Sequence, residues 1–285
     1  MAVKILDGKA LSRMVRDEVA ERTARLREKG VVPRLAAIVA AQDPASLAYV
    51  RMKRRWAEEA GIESRSFEVD EASTTGEVLA EIHRLNRDDT VHGVLVQHPL
   101  PSQVDEGRVL LALSAGKDVD GITPASLGLL VSGAPGFRPA TPLGMVTLLH
   151  HYGIEVRGKK AVVIGRSVIL GKPMAHMLLE LDATVSIAHS KTDDLPSLIA
   201  GADIVVAACG RPELVRGEWL KRGAVVLDAG FNKVPGRVKD VGDCHWESCV
   251  EVASWISPVP GGVGPMTVAS LLANTVAAGE ASLEE

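Results

Sequence analysis

The sequence predicts an α/β protein of two α/β domains with a ligand cleft between them, the second domain being a Rossmann-like dinucleotide-binding domain. Short apolar runs alternate with helical patterns along the chain, and a stretch rich in Gly and Pro at residues 116–142 divides this alternation into two series. A chain of 285 residues also has the length of about two domains. Because strands joined through helices lie parallel, each series predicts a parallel sheet with helices on its faces.

The first series predicts three strands and two helices. The apolar runs that predict strands lie at residues 35–40, 64–69 and 93–97. The helical patterns between them lie at residues 46–60 and 77–85. Gly61 is a natural end for the first helix, and Pro99 and Pro101 end the third strand. One short helix is expected at residues 126–131, before the second series begins.

The second series predicts a helix at residues 143–152 and then four strands. The apolar runs of these strands lie at residues 161–165, 184–188, 204–209 and 224–230. A glycine-rich loop then leads into an apolar helix that has Pro265 in its first turn. We therefore expect a first domain at residues 1–142, completed by the C-terminal helix at 265–285, and a second domain at residues 143–264.

Composition and charge exclude several classes of protein. A net charge of -4 and an aromatic content of 3% argue against a nucleic-acid partner. No apolar segment approaches the length of a membrane span and no signal peptide is evident, so we expect a cytoplasmic protein with no membrane contact. Cys244, His245 and Cys249 lie close together, but their spacing matches no zinc motif. We expect no metal site, and the cysteines read as small buried hydrophobes.

The segment AVVIGRSVILGKPMAHML, residues 161–178, predicts a nucleotide-binding loop. An apolar strand leads into Gly165, a second glycine follows at Gly171, and a helical pattern begins at Pro173. This arrangement aims the N–H groups of a helix start at a phosphate. Neither the G-x-G-x-x-G nor the G-x-x-x-x-G-K-[ST] signature fits the segment, so the glycines alone do not identify the ligand.

The residues around this loop favour NADP as the cofactor. The strand at 184–188 runs into His189, Ser190 and Lys191, without the carboxylate that an NAD site places on the ribose. Arg166 and Ser167 add hydrogen-bond donors and positive charge within the loop itself. Such groups suit the 2′-phosphate of NADP. The alternative is that Arg166 and Lys191 are solvated surface charges.

The candidate chemistry lies in the first domain. Tyr49 and Lys53 are four residues apart, so a helix presents both on one face. Gln97 ends the third strand, and the loop KDVDG at residues 117–121 supplies two carboxylates. Together these groups would form a polar pocket for a nitrogen-rich substrate. The alternative is that Lys53 belongs to a solvated basic run with Arg51, Arg54 and Arg55.

Eight motifs in a fixed order give the sequence a specific resemblance. They are YVRMK, GVLVQ with PLP, KDVDG, ATPLG, GRSVILGKP, HSKT, GAVVLDAGFN and PVPGGVGPMT. The chain resembles the bifunctional methylenetetrahydrofolate dehydrogenase/cyclohydrolase family over nearly its whole length. The resemblance implies NADP-dependent oxidation of 5,10-methylenetetrahydrofolate to the methenyl form, followed by hydrolysis to 10-formyltetrahydrofolate. It also implies a homodimer, a folate-binding first domain and an NADP-binding second domain.

The resemblance assigns roles to matched positions. Lys53 is the implied acid/base group of the hydrolysis, with Tyr49 positioning the folate, Gln97 hydrogen-bonded to Lys53 and Asp120 on the pterin nitrogens. The residues implied to line the folate side are Pro260, Gly261, Gly262 and Val263. The implied cofactor contacts are Gly165, Arg166, Ser167, Ser190 and Phe231. Lysine acts as a base near pH 7 only after its pKa falls by about 3 units, so we expect Lys53 to be enclosed.

Some positions depart from the family pattern. His98 stands where leucine is common, and Phe231 replaces a frequent isoleucine. Smaller departures are Ile122, Thr123, Ala140 and Ala188. None of them removes a group with an implied catalytic role, although His98 and Phe231 can alter the fit of substrate or cofactor.

Three other functions compete with this interpretation. An NADP oxidoreductase for a hydroxy or keto acid would need no Tyr49/Lys53 pair and would not explain PVPGGVGPMT. A dehydrogenase without cyclohydrolase activity is disfavoured by the presence of Lys53 and Gln97. A nucleotide-sensing module would bind NADP without turning over a substrate.

Overall fold

The computed structural model describes residues 2–40, 44–238 and 240–283, and it describes the side chains of helix 44–59 from Arg51 onward. The strands in these ranges are β1 (Lys4–Ile5), β2 (Arg34–Ala40), β3 (Glu63–Val69), β4 (Gly93–Val96), β5 (Lys160–Ile164), β6 (Thr184–Ala188), β7 (Ile204–Ala207), β8 (Val225–Asp228) and β9 (Trp255–Ile256). The α-helices are α1 (Gly8–Glu28), α2 (Pro44–Glu59), α3 (Thr75–Arg87), α4 (Glu106–Ala112), α5 (Pro124–Val131), α6 (Ala140–His151), α7 (Gly171–Glu180), α8 (Leu195–Ala200), α9 (Trp246–Cys249) and α10 (Val263–Ala281). No helix in the described ranges has both the length and the apolar character that crossing a membrane requires.

The chain divides into two compact units, and both have parallel sheets. The three-stranded unit comprises Arg13–Ala140 with Val268–Glu285, and the six-stranded unit comprises Met1–Ser12 with Thr141–Thr267. The predicted α/β class is confirmed. The structure differs from the predicted boundaries at the N-terminus, because β1 pairs in parallel with β9 and so joins residues 1–12 to the six-stranded unit.

The three-stranded unit has the order β3-β2-β4, with all strands parallel. Its central strand β2 is buried along almost its whole length, which explains why the uninterrupted apolar run at 35–40 predicts it correctly. Helix α3 begins at Thr75, two residues before the predicted start. Thr74 caps it, accepting from the Glu77 N–H at 3.2 Å, while the Glu77 carboxylate accepts from the Thr74 N–H at 2.8 Å.

The six-stranded unit has the order β1-β9-β8-β7-β5-β6. All four predicted strands are present, as β5 to β8, and two short strands, β1 and β9, extend the sheet beyond β8. Strand β5 pairs with β6 on one side and with β7 on the other. The strand order therefore reverses at β5, and ligands of open parallel sheets bind beyond the carboxyl ends of the strands at such a point.

Two buried carboxylates fix the loops at the carboxyl ends of β7 and β8. The Asp228 carboxylate accepts from the N–H groups of Gly230, Asp243 and Cys244 at 2.8–2.9 Å. The Asp243 carboxylate accepts from the N–H groups of Cys209 and Gly210 at 2.7 and 2.9 Å, and from the side-chain amide of Asn232 at 2.9 Å. Removal from water raises the pKa of Asp228 to about 6, although its three backbone donors oppose that shift.

Replacing Asp243 by Asn is expected to lower the free energy of unfolding by about 2 kcal/mol. The side-chain N–H₂ of asparagine would then face an N–H donor at a place where the carboxylate oxygen accepts a hydrogen bond. Urea unfolding followed by tryptophan fluorescence measures the change, since Trp219, Trp246 and Trp255 all lie in the six-stranded unit. The matched control is Asp193→Asn at an exposed position, where a change below about 0.5 kcal/mol is expected. Equal unfolding curves for the two variants would contradict this role of Asp243.

Candidate active site

A buried lysine lies at the carboxyl end of β4. Lys53 on α2 is only 5% exposed, and its Nζ donates to Oε1 of Gln97 at 3.0 Å. Gln97 directly follows β4 and extends the sheet, since its backbone N–H donates to the Ile38 carbonyl at 2.8 Å. The Gln97 side-chain amide also donates to the His98 carbonyl at 3.2 Å. That second bond orients the amide so that its oxygen faces the lysine.

Burial shifts the pKa values of Lys53 and Asp120, and each group opposes the shift of the other. Burial lowers the pKa of Lys53, and the Asp120 carboxylate opposes this shift. Burial likewise raises the pKa of Asp120, an effect that Lys53 opposes, Asp118 increases and His98 opposes. Both groups are therefore shifted toward their neutral forms, and a lysine with a lowered pKa is a candidate acid/base group.

The second carboxylate of the KDVDG loop has a structural task. Asp118 is buried and accepts from the N–H groups of Gly121 and Thr123 at 3.0 and 2.8 Å. The loop runs beside β4, because the Val94 N–H donates to the Lys117 carbonyl at 2.7 Å and Val94 forms a parallel bridge with Asp118. Asp118 thus shapes the loop that carries Asp120.

Sequence reasoning missed Asn274, a buried polar residue on α10. Its side-chain amide donates to the Val119 carbonyl at 2.8 Å and to the Arg138 carbonyl at 3.1 Å. Asn274 therefore holds the KDVDG loop from outside. The signal was an amide in the middle of an otherwise apolar helix, where a buried polar side chain needs a partner.

The basic run around Lys53 separates into two kinds of residue. Arg54 pairs with Glu58 at 2.8 Å and Arg55 pairs with Glu59 at 3.5 Å, on exposed side chains one helical turn apart. Arg54 and Arg55 therefore lie on a solvated face, as the alternative interpretation of the basic run expects, whereas Lys53 is buried. The backbone of Tyr49 lies in α2, one turn before Lys53, but its side chain lies outside the described part of the structure. Its positioning role stays a prediction.

The predicted nucleotide-binding loop links β5 to α7 by a very close turn. Gly165 has φ +131°, and a Cβ there would overlap the Ala208 carbonyl oxygen; a Cβ at Gly171 would overlap the Gly165 carbonyl oxygen. Only glycine fits these two positions. The Ser167 hydroxyl accepts from the N–H groups of Leu170 and Gly171 at 3.2 and 3.3 Å. Ser167 thus holds the turn that leads into α7, and the expected phosphate contact at the start of this helix stays a prediction.

The predicted cofactor contacts follow neighbouring strands of the six-stranded sheet. Arg166 follows β5 and Ser190 follows β6, and the ends of these two strands are joined by the Gly165 N–H, which donates to the Ala188 carbonyl at 2.8 Å. Both side chains are exposed. Phe231, beyond β8, is 64% exposed. Across the described residues, neither Arg166 nor Lys191 forms an ion pair, so both charges are available to a ligand.

The segment Pro260–Val263 forms the entry to α10 within the same unit. The Gly261 carbonyl accepts from the Lys9 N–H at 2.8 Å, and the Gly262 N–H donates to the Pro258 carbonyl at 2.8 Å. This segment offers backbone groups and small apolar side chains to a ligand. Its folate contacts stay a prediction.

The cysteines near His245 lie in the core of the six-stranded unit. Cys244 and Cys249 are buried in the hydrophobic core of the six-stranded unit, and the His245 Nδ1 lies 3.0 Å from the Ser248 hydroxyl. Within residues 2–40, 44–238 and 240–283, no three His, Cys, Asp or Glu side chains converge as metal ligands would.

Two family models match the chain. The model of the tetrahydrofolate dehydrogenase/cyclohydrolase catalytic domain matches residues 6–120, and that of the tetrahydrofolate dehydrogenase/cyclohydrolase NAD(P)-binding domain matches residues 139–283. The bifunctional protein FolD of Moorella thermoacetica is 51% identical over 278 residues, covering 98% of this chain and 99% of that protein.

Solved structures agree with these matches. The crystal structure of the bifunctional FolD dehydrogenase/cyclohydrolase from Campylobacter jejuni has a TM-score of 0.96 and 45% identity, covering 98% of this chain and 99% of that one. The N5,N10-methylenetetrahydrofolate dehydrogenase-cyclohydrolase of Trypanosoma brucei, solved with NADP and an inhibitor, has a TM-score of 0.95 and 37% identity, and all of both chains is covered.

Proposed function

The chain belongs to the tetrahydrofolate dehydrogenase/cyclohydrolase family, and we propose that it carries out both reactions with the side chains described above. It oxidises 5,10-methylenetetrahydrofolate to the 5,10-methenyl form with NADP, and it hydrolyses that product to 10-formyltetrahydrofolate. The observation that carries the residue assignment is the buried Lys53, hydrogen-bonded to Gln97 and electrostatically coupled to Asp120.

The residues after β5 and β6 fit NADP. A bound NADP would supply the acceptor for the hydride that leaves the folate carbon. The backbone turns closely at Gly165 and Gly171, where there is no room for a Cβ. The exposed Arg166 supplies positive charge beyond the end of β5. We assign Arg166 and Ser190 to the 2′-phosphate of NADP. Ser167 is assigned to holding the loop and to donating its hydroxyl hydrogen to the cofactor. Phe231 is assigned to the cofactor from its exposed place beyond β8.

The hydrolysis needs proton transfers at the carbon between N5 and N10, and Lys53 is the group we assign to them. Its burial lowers its pKa, which is the direction that a base near neutral pH requires. Gln97 Oε1 holds the Nζ in place at 3.0 Å, while Asp120 accepts hydrogen bonds from the pterin nitrogens. Tyr49, one turn earlier on α2, and the segment Pro260–Val263 are assigned to positioning the folate. The hydride step needs little beyond alignment of the two reacting carbons.

We also propose that the enzyme is a homodimer that acts in the cytoplasm on soluble tetrahydrofolate derivatives, without nucleic-acid or membrane partners. The family resemblance supports the dimer. The net charge of -4 supports the absence of nucleic acid.

The function is tested by incubating the purified protein with 5,10-methylenetetrahydrofolate and either NADP or NAD. We expect NADPH formation to be faster than NADH formation, and the methenyl intermediate to disappear faster than it does without protein. Absorbance at the wavelengths of the reduced nucleotide and of the methenyl product follows both steps. Binding of NADP without any turnover would support the nucleotide-sensing alternative instead.

Replacing Lys53 by Met is expected to slow methenyltetrahydrofolate hydrolysis by about 100-fold or more, because general acid–base catalysis commonly contributes 10²–10⁴. The dehydrogenase rate should fall much less, since that step needs alignment and not proton transfer. Both rates are measured on the same preparation. Lys29→Met, at an exposed position, is the matched control and should retain both activities. A Lys53→Met enzyme that hydrolyses at the wild-type rate would remove Lys53 from the mechanism.

Replacing Arg166 by Gln is expected to raise the KM for NADP by about 10- to 100-fold, the loss that one or two hydrogen bonds to a charged group imply. The KM for NAD should change little, because NAD lacks the 2′-phosphate. Initial-rate kinetics with both cofactors measure the difference. Arg222→Gln is the control, since Arg222 is exposed and lies before the amino end of β8. Equal effects of Arg166→Gln on NADP and NAD would argue against a phosphate contact.

A further inference from the structure

The chain leaves the three-stranded sheet directly after Gln97. The Gln97 N–H still joins the sheet, because it donates to the Ile38 carbonyl at 2.8 Å. Pro99 and Pro101 have no N–H, so between His98 and Pro101 only Leu100 carries a backbone donor. Leu100 is buried, and the N–H of a buried residue needs an acceptor. This segment therefore depends on an acceptor outside the sheet.

The carboxylate of Glu106, at the start of α4, is that acceptor. Its Oε2 accepts from the Leu100 N–H at 2.9 Å, and its Oε1 lies 2.8 Å from Nδ1 of His98. A carboxylate only accepts hydrogen bonds, so the imidazole donates from Nδ1. The His98 carbonyl lies between these two points along the chain. One side chain thus fixes the backbone on both sides of that carbonyl.

The backbone that carries Glu106 is itself held by other segments of the three-stranded unit. The N–H of the preceding residue, Asp105, donates to the hydroxyl of Thr75 at the start of α3, at 2.9 Å. The side-chain amide of Gln103 donates to the Asp70 carbonyl at 3.0 Å. The carboxylate of Glu106 therefore projects from a fixed position, and it can transmit that position to the residues it binds.

The carbonyl that Glu106 fixes orients the amide of Gln97. Nε2 of Gln97 donates to the His98 carbonyl at 3.2 Å, and Oε1 of Gln97 accepts from Nζ of Lys53 at 3.0 Å. An amide turned by half a rotation would present its N–H₂ to the lysine, and two donors would then face each other. The place of the His98 carbonyl therefore decides which side of the amide meets Lys53.

We propose that Glu106 is a positioning residue for the hydrolysis, which acts through the His98 carbonyl and the Gln97 amide to hold the Nζ of Lys53 in place. This inference rests on the proposed function, in which Lys53 transfers the protons of that reaction. It gives His98 a task as well, because leucine at this position has no N–H to donate to Glu106.

The test measures kcat and KM for both reactions of the full-length enzyme. Glu106→Ala removes both bonds of the carboxylate, and we expect a kcat for methenyltetrahydrofolate hydrolysis about 10-fold lower, because a displaced catalytic group slows its own step. The KM of the hydrolysis and the kcat of the dehydrogenase should stay close to the wild-type values. Arg108→Ala, at an exposed position on the same helix, is the matched control and should retain both activities.

The conservative variant Glu106→Gln separates positioning from charge. Its oxygen can still accept from the Leu100 N–H, and its N–H₂ can donate to Nδ1 of the other imidazole tautomer. We therefore expect Glu106→Gln to recover most of the hydrolysis rate that Glu106→Ala loses, although it carries no negative charge.

A double-mutant cycle shows whether Glu106 acts through Gln97. Without the amide there is nothing left to orient, so in a Gln97→Ala background Glu106→Ala should slow hydrolysis by less than about twofold, instead of about 10-fold. His98→Leu removes only the contact of the ring, and its smaller loss should depend on Gln97 in the same way. It provides the same comparison if Glu106→Ala does not fold.

Four results would overturn the proposal. They are losses that multiply in the double variant, equal losses in hydrolysis and oxidation, a Glu106→Ala enzyme that hydrolyses at the wild-type rate, and a Glu106→Gln enzyme as slow as Glu106→Ala. Each of these leaves the proposed function standing. A wild-type protein that hydrolysed methenyltetrahydrofolate no faster than the uncatalysed reaction would instead contradict the proposed function itself, and this inference with it.

Discussion

The interaction on which the candidate active site depends is the removal of the Lys53 ammonium from water beside Asp120. An ammonium and a carboxylate enclosed together each lose hydration, and their mutual attraction recovers only part of that loss. The result is a lysine shifted toward its neutral form and an acid shifted toward its protonated form. These shifts make Lys53 a candidate for proton transfer, and Gln97 Oε1 holds its Nζ at 3.0 Å.

Carboxylates elsewhere in the chain show how much the local donors decide the role of such a group. Asp118 and Asp243 are fully buried, yet each accepts hydrogen bonds mostly from backbone N–H groups, and each therefore shapes a loop. For Asp120, the described residues show no backbone donors like those that Gly121 and Thr123 provide to Asp118. The charge of Lys53 acts on the Asp120 carboxylate instead. Two carboxylates two residues apart thus divide structure and chemistry between them.

Sequence reasoning predicts the strands well because uninterrupted apolar runs such as 35–40 belong to strands buried on both faces. The structure brings Lys53 within 3.0 Å of Gln97, which follows β4, and the roles predicted for these residues and for Asp120 stay predictions. Sequence reasoning misses what depends on partners distant in sequence: β1 with β9, and Asn274 with Val119 and Arg138. No local pattern in residues 2–12 could show that a two-residue strand joins a sheet at residue 255.

The Ser167 finding shows why a ligand-binding loop can be recognised before its contacts can be assigned. Ser167 is predicted to contact the cofactor, and its hydroxyl oxygen also accepts from the N–H groups of Leu170 and Gly171. A helix whose first donors are capped from within attracts a phosphate less through those donors. We therefore expect the discrimination between NADP and NAD to depend on charge outside the helix, which the exposed Arg166 would supply. A side chain that turns back to cap its own helix and one that reaches a ligand share the same position in a sequence pattern, and only the folded backbone separates them.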